Sequence, residues 1–221
     1  MSCFDVDIRN CGLSLEAYTA MNTCVRALIL DFGEVLTRSQ PVHVLEQMAA
    51  SAGLPAERFL VGYWQHRMAY DAGLPAAEYW SRVAGGGDLS PDRIAELIGL
   101  DVLSWSDYRH AVWDVAAEFR ARGNRTAVLS NGVPEIIARV RKERRLETWF
   151  DIVIVSCEVG LCKPQPGIYR LCLERLEVPA ASALFVDDRR ENLEGAEAVG
   201  LRTLHFTGDE SVPALRRVLG L

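Results

Sequence analysis

Short, unbroken apolar runs recur along this chain, separated by longer stretches in which apolar and polar residues mix. Ala27-Leu28-Ile29-Leu30 ends abruptly on Asp31, while Ile152-Val153-Ile154-Val155 and Ala183-Leu184-Phe185-Val186 show no polar alternation. Such runs are expected of strands buried on both faces of a parallel sheet. Strands are predicted over 25–31, 126–130, 151–155, 183–186 and 202–206, with helices over 134–146, 165–177, 190–199 and 210–219. Short strands alternating with helices of about ten or more residues build βαβ units. The expectation is an α/β, Rossmann-like parallel sheet with helices on both faces.

The first crossover is longer than the others. About 90 residues separate the first two strands, where a single helix suffices for a parallel connection. Most of that interval reads as helix, from about 41 to 122, and Gly53-Leu54-Pro55, Gly73-Leu74-Pro75 and Gly85-Gly86-Gly87 break it. The excess, 38–112, is predicted to be an inserted helical cap on a core made of 25–37 and 113–221. Residues 1–24 carry no clear period and read as an N-terminal extension, with Met21 a possible alternative start.

Composition narrows the classes of partner. Of 221 residues, 49% are apolar and 24% charged, with a formal net charge of −6, which describes an ordinary globular domain. The basic run Arg139, Arg141, Lys142, Arg144, Arg145 falls on a predicted helix and reads as a solvated face, so nucleic acid is not expected. No apolar stretch reaches the roughly 18 to 20 residues that span a bilayer, and no secretory signal pattern opens the chain. Six scattered cysteines (Cys3, Cys11, Cys24, Cys157, Cys162, Cys172) suit reduced cytosolic thiols; the Cys157–Cys162 spacing is a weak zinc signal without histidines beside it. A cytoplasmic protein is expected, and its oligomeric state is not legible.

The chemistry-bearing residues sit at strand ends. Asp31 closes the first strand, and Ser130-Asn131-Gly132 closes the second. Lys163 precedes Pro164 and a helix, and Asp187-Asp188 closes the fourth strand with Asn192 on the helix beyond. Taken singly, each has a plain structural role: a helix cap, a turn hydroxyl, an exposed loop. Together they change the picture, because the carboxyl ends of parallel strands converge on one crevice. A carboxylate nucleophile, a hydroxyl, a cation and an acidic pair suit phosphoryl transfer. Crowded carboxylates repel one another, and Mg²⁺, which takes oxygen ligands, relieves that repulsion.

These motifs, in this order, resemble the haloacid dehalogenase-like (HAD) hydrolases over about residues 25–206. Asp31 lies in the stretch similar to the family's first motif, Ser130 to its second, Lys163 to its third and Asp187-Asp188 to its fourth. Tyr63-Trp64, Arg67, Tyr70-Asp71-Ala72-Gly73 and Tyr79-Trp80 look like the helical C1 cap of subfamily I members related to epoxide-hydrolase N-terminal phosphatases. The resemblance implies Asp31 as nucleophile, with Ser130 and Lys163 as catalytic partners. It implies a Mg²⁺ site from Asp31, the Gly33 carbonyl, Asp188 and Asp187. Asn131, Gly132 and Arg67 would contact a small phosphorylated metabolite, the first two through backbone amides near the phosphate, and His66 is a further candidate. The cap aromatics read first as cap core and second as a substrate stack.

One departure stands out. The family's usual second aspartate, which protonates the leaving oxygen, is replaced by Gly33, followed by Glu34. Glu34 points the wrong way on an extended backbone, and Gly33 can take backbone angles that a side chain resists. Three readings stay open: a Mg²⁺-dependent phosphatase using an aspartyl-phosphate, a catalytically weak HAD-fold binding or regulatory protein, and a dehalogenase-type hydrolase. Halide displacement needs no acid, but that branch usually lacks the acidic pair seen at Asp187-Asp188.

Overall fold

The computed structural model describes residues 25–221, so the N-terminal extension, Met21, Cys3, Cys11 and Cys24 lie outside the described residues. Five parallel strands form one sheet among these residues: β1 (Ala27–Leu30), β2 (Arg125–Ser130), β3 (Ile152–Val155), β4 (Ala183–Asp187) and β5 (Arg202–His205). Their spatial order is β3-β2-β1-β4-β5. The chain steps outward from β1 to β3, then returns to the other side of β1 for β4. That reversal opens a crevice between β1 and β4 at their carboxyl ends.

Strand alternation sorts the core into two layers. Leu28, Leu30, Val128 and Val186 face one side with Val112, Trp113 and Phe119 of the helix His110–Ala121. Ala27, Ile29, Ala127, Leu129 and Phe185 face the other, against Ile168, Tyr169 and Cys172 of Pro166–Leu176 and Leu193 of Arg190–Glu197. β3 departs from the expectation of burial on both faces. It lies at the sheet edge, where Ile152 and Val153 are only half-buried. Local composition does not record whether a strand gains a second neighbour.

Four helices precede His110–Ala121 in the long first crossover: Val42–Ser51, Ala56–Asp71, Ala76–Val83 and Pro91–Ser104. The first two breaks fall where Gly53 (φ +70°) and Gly73 (φ +104°) take left-handed angles that end a helix at little cost. Phe59, Tyr63, Tyr70, Tyr79 and Trp80 bury together between these helices. The two connecting segments run side by side, with an antiparallel bridge between Thr37 and Tyr108 and with the Arg38 amide donating to the Asp107 carbonyl at 2.7 Å. No described helix is long and apolar enough to cross a membrane. The basic run lies along Pro134–Arg144 and just beyond it; Arg139 pairs with Glu143, Arg141 with Glu147 and Glu158, and Arg144 stacks over Tyr108 and Trp113.

Candidate active site

Parallel register brings the acidic residues level. Leu30 pairs with Val186 across β1 and β4, so Asp31 and Asp187, one residue further on, stand side by side. The Asp31 amide donates to the Val186 carbonyl at 2.9 Å, which holds the strand end in place. Beyond Asp31 the chain makes a wide turn, Phe32–Leu36, closed by the Thr37 amide donating to the Phe32 carbonyl at 3.0 Å. This turn was not predicted. Glu34 sits inside it at φ +59°, an uncommon conformation for a residue with a side chain and one that tends to cluster at functional sites.

Lys163 bridges the strand ends. Its ammonium lies 2.7 Å from Asp31 Oδ1 and 2.7 Å from Asp187 Oδ2, with the side chain 1% exposed. Asp31 Oδ1 also accepts from the Phe32 amide at 2.6 Å. Asp187 accepts from the Arg189 amide and from Asn192 Nδ2, each at 2.9 Å and both on Oδ1. Asn192 therefore serves Asp187, on the side away from Lys163. Asp188 is less buried and lines the cavity, which Asp187 does not.

Oxygens of Asp31, Asp187 and Asp188 lie within 4.8 Å of one another. Burial pushes the Asp31 carboxyl up to about 8; Lys163 opposes the rise, while Asp187 and Asp188 add to it. Asp188 rises to about 6, chiefly through burial and then through Asp187. Burial works to lower the Lys163 ammonium, yet Asp187 and Asp31 outweigh it and hold the group above the usual lysine range. One lysine among three carboxylates leaves an excess of negative charge, and this all-oxygen donor set suits a hard divalent cation.

The Lys163 segment is fastened from two sides. Asn131 Nδ2 donates to the Lys163 carbonyl at 2.9 Å, and the Lys163 amide donates to Asn131 Oδ1 at 2.8 Å. The Asn131 side chain is thus a clamp on that loop, and the sequence pattern did not reveal this. The Gly132 amide, expected to face the phosphate, instead donates to Ser156 Oγ at 3.0 Å, because the short helix Ser156–Val159 after β3 brings that hydroxyl alongside. Ser130 lines the cavity, its hydroxyl donating to the Asn131 carbonyl at 3.2 Å.

Behind Pro164 lies Gly195, where an added Cβ would stand 2.6 Å from the Pro164 carbonyl oxygen. Gly195→Ala is therefore expected to push the Lys163 loop off its helix. Overpacking of this kind costs about 1–3 kcal/mol, a drop in melting temperature of about 2–10 °C that a thermal melt would record.

A cavity of about 500 Å³ opens over the strand ends, shared by the sheet and the helical insertion. The insertion supplies Trp64, Arg67, Met68, Asp71 and Trp105. The aromatics of the insertion divide: Tyr63, Tyr79 and Trp80 are core, whereas Trp64 is 49% exposed and lines the cavity. Arg67 reaches the cavity but is engaged by Asp71 Oδ1 at 2.9 Å, by the Tyr63 hydroxyl at 2.5 Å and by Asp101. Its role as a free substrate contact is thereby reduced, since buried carboxylates already satisfy its charge. His66 is not among the lining residues. Ser156 Oγ donates to the Asp71 carbonyl at 2.6 Å, tying the insertion to the core.

Backbone freedom is not what distinguishes Gly33. Its angles, φ −64° and ψ 139°, are open to any residue. Space is the limit: a Cβ there would lie 3.2 Å from Trp105 Cζ3. Glu34 also lines the cavity, with its Oε2 accepting from Ser39 Oγ at 2.6 Å. Trp105, Met68, Ile136 and Ile137 are cavity residues that no motif signalled, since each reads as ordinary helix content.

Sheet order, the acidic cluster at the switch point and the overlying helices define a doubly wound α/β protein with a carboxylate–lysine centre at its strand ends. The model of the haloacid dehalogenase-like hydrolases matches residues 25–200, and the chain belongs to that family. A protein named as a phosphatase in Mycobacterium tuberculosis (strain CDC 1551 / Oshkosh) is 29% identical over 185 residues, covering 80% of this chain and 85% of its own. Mouse acyl-CoA dehydrogenase family member 10 is 36% identical over 110 residues, 47% of this chain but 10% of that much longer protein. Among solved structures, a HAD-family enzyme of Bacteroides thetaiotaomicron in a magnesium complex superposes with a TM-score of 0.72 at 20% identity, covering 87% of this chain and 98% of its own.

Proposed function

We propose that this protein is a Mg²⁺-dependent phosphatase that hydrolyses a small phosphorylated metabolite through an aspartyl-phosphate on Asp31. The observation that carries the reading is the cluster itself: three carboxylates within 4.8 Å, with Lys163 bridging two of them. Asp31 Oδ1 is held by the Phe32 amide and Lys163, which leaves Oδ2 as the oxygen to attack phosphorus. Lys163 has a third ammonium proton beyond its two carboxylate bonds. With the Ser130 hydroxyl it would meet the charge on the transferring phosphoryl oxygens.

Asp31, Asp188 and the Gly33 carbonyl would hold Mg²⁺, with Asp187 beside them orienting Lys163. When bound, the ion neutralises charge shared by the nucleophile and the phosphate. The four-helix insertion would act as the cap, its Trp64, Met68 and Trp105 shaping the space for the substrate's remainder. The phosphatase name of the mycobacterial relative supports this reading, as does the magnesium bound by the bacterial neighbour.

Phosphate release from a panel of phosphorylated metabolites tests it. Turnover is expected with Mg²⁺ and is expected to disappear with EDTA. Full phosphate release in EDTA would remove the Mg²⁺ part of the assignment; no turnover of any compound would turn it toward a binding protein, or toward dehalogenase chemistry if halide is instead released from a 2-haloacid.

A further inference from the structure

We infer that the substrate is an uncharged aryl phosphomonoester, a phosphate carried on a phenolic oxygen whose ring bears no further charge. The inference rests on the phosphatase reading and specifies its leaving group. Two separate features of the cavity point to it.

The first is what stands beside the nucleophile. Two residues after Asp31, the direction a side chain would take from Gly33 runs into the Trp105 indole, 3.2 Å to Cζ3 and 3.5 Å to Cη2. An aromatic face occupies that position and offers no proton there: the Trp105 N–H is engaged by the Tyr63 hydroxyl at 3.4 Å. A positioned acid typically contributes about 10²- to 10⁴-fold. Without one, the leaving oxygen must bear its own negative charge, which a phenolate spreads into its ring and an alkoxide does not.

The second is the wall around the space for that leaving group. Trp64 and Met68 stand one helical turn apart on Ala56–Asp71, 49% and 47% exposed, and both line the cavity. Trp105, Val133, Ile136 and Ile137 complete an apolar surface. The cations along the same cavity are already paired: Lys163 with Asp31 and Asp187, Arg67 with Asp71, and Arg189 with Glu191 at 2.8 Å. A second phosphate or a carboxylate on the substrate would find each of these cations already paired, and the side of the cavity formed by Trp64, Met68, Trp105, Ile136 and Ile137 offers a sugar's hydroxyls little but indole and aliphatic groups. A flat apolar ring fits both the wall and the missing acid.

The chemistry balances without another reactant. Asp31 Oδ2 forms a bond to phosphorus as the phosphorus–oxygen bond to the ring breaks. The electron pair leaves on the phenolate, which takes a proton from solvent. Water then attacks the aspartyl-phosphate and the phosphorus–Asp31 bond breaks, restoring the carboxylate; one water proton stays on the product phosphate and the other passes to solvent. The sum is aryl phosphate plus water giving phenol and inorganic phosphate.

The test compares kcat/KM for 2-naphthyl phosphate, hexafluoroisopropyl phosphate and glycerol 3-phosphate with Mg²⁺, in wild type and in Trp64→Ala, a half-exposed position at which truncation leaves the core packed. The naphthyl ester is expected to exceed glycerol 3-phosphate by about 10²-fold or more. It is expected to exceed hexafluoroisopropyl phosphate, whose leaving alkoxide is about as weakly basic as naphtholate but carries no ring, by about tenfold. Trp64→Ala should bring that second ratio down by most of the tenfold. Equal rates for the naphthyl and glycerol esters would overturn the inference and turn attention to Asp71 and Glu34, the cavity's carboxyls outside the acidic cluster, as acids. A naphthyl-to-hexafluoroisopropyl ratio near one, or one that Trp64→Ala does not move, would overturn it as well. In both cases the phosphatase reading stands; loss of all three activities would instead remove that reading.

Discussion

Replacing Asp31 with asparagine is expected to abolish turnover while the protein stays folded. The amide oxygen can still accept from the Phe32 amide, which holds the strand end at 2.6 Å. Lys163 keeps Asp187 as its anionic partner at 2.7 Å. Removing a charge from a side chain that is 7% exposed takes away a desolvation cost, so the melting temperature should hold within a few degrees or rise. An asparagine cannot form the mixed anhydride that the proposed reaction requires. Loss of a nucleophile lowers kcat by about 10⁴-fold or more, leaving only what positioning and electrostatics contribute. Phosphate release under saturating substrate, paired with a thermal melt, measures both parts. Retained turnover in a folded variant would remove Asp31 as nucleophile and with it the aspartyl-phosphate.

The two adjacent aspartates are expected to fail in different ways. Asp188→Ala should leave the fold intact and weaken Mg²⁺ binding by more than about 10²-fold, the upper end of what losing an outer-sphere partner of a metal costs. Asp188 lines the cavity and its oxygen lies within 4.8 Å of those of Asp31 and Asp187. Asp187→Ala should act on stability first. Its carboxylate is fully buried and accepts from Lys163, the Arg189 amide and Asn192. Breaking such a pair leaves a buried ammonium with fewer partners and costs about 3–5 kcal/mol. Melting curves with and without Mg²⁺ separate the effects. Wild type should gain stability as the ion is added, by about 2.7 kcal/mol at a hundredfold excess over its dissociation constant. Asp188→Ala should start near the wild-type melting temperature and lose that gain, whereas Asp187→Ala should start well below it. Equal starting temperatures for the two variants would contradict the division of labour between them.

Local sequence determined the strands and where they stop. Ala27–Leu30 is apolar throughout because it lies in the middle of the sheet, and it ends at Asp31 because a carboxylate is tolerated only where the sheet meets the crevice. The order of Asp31, Ser130, Lys163 and Asp187-Asp188 along the chain was enough to resemble one hydrolase family, and the helix breaks at Gly53 and Gly73 were readable from glycine's access to left-handed angles. Tertiary structure decided the rest. Whether Val153 is covered on both faces depends on β3 lying at the edge, a property of strand order and not of the strand. Asn131 became a clamp and the Gly132 amide found Ser156 because segments about 25 to 30 positions away fold back to meet them. Trp105, about 70 positions after Gly33, lies against it only once the insertion closes over the sheet. Contacts of this range carry no local period or spacing, since the residues that make them first meet when the layers pack.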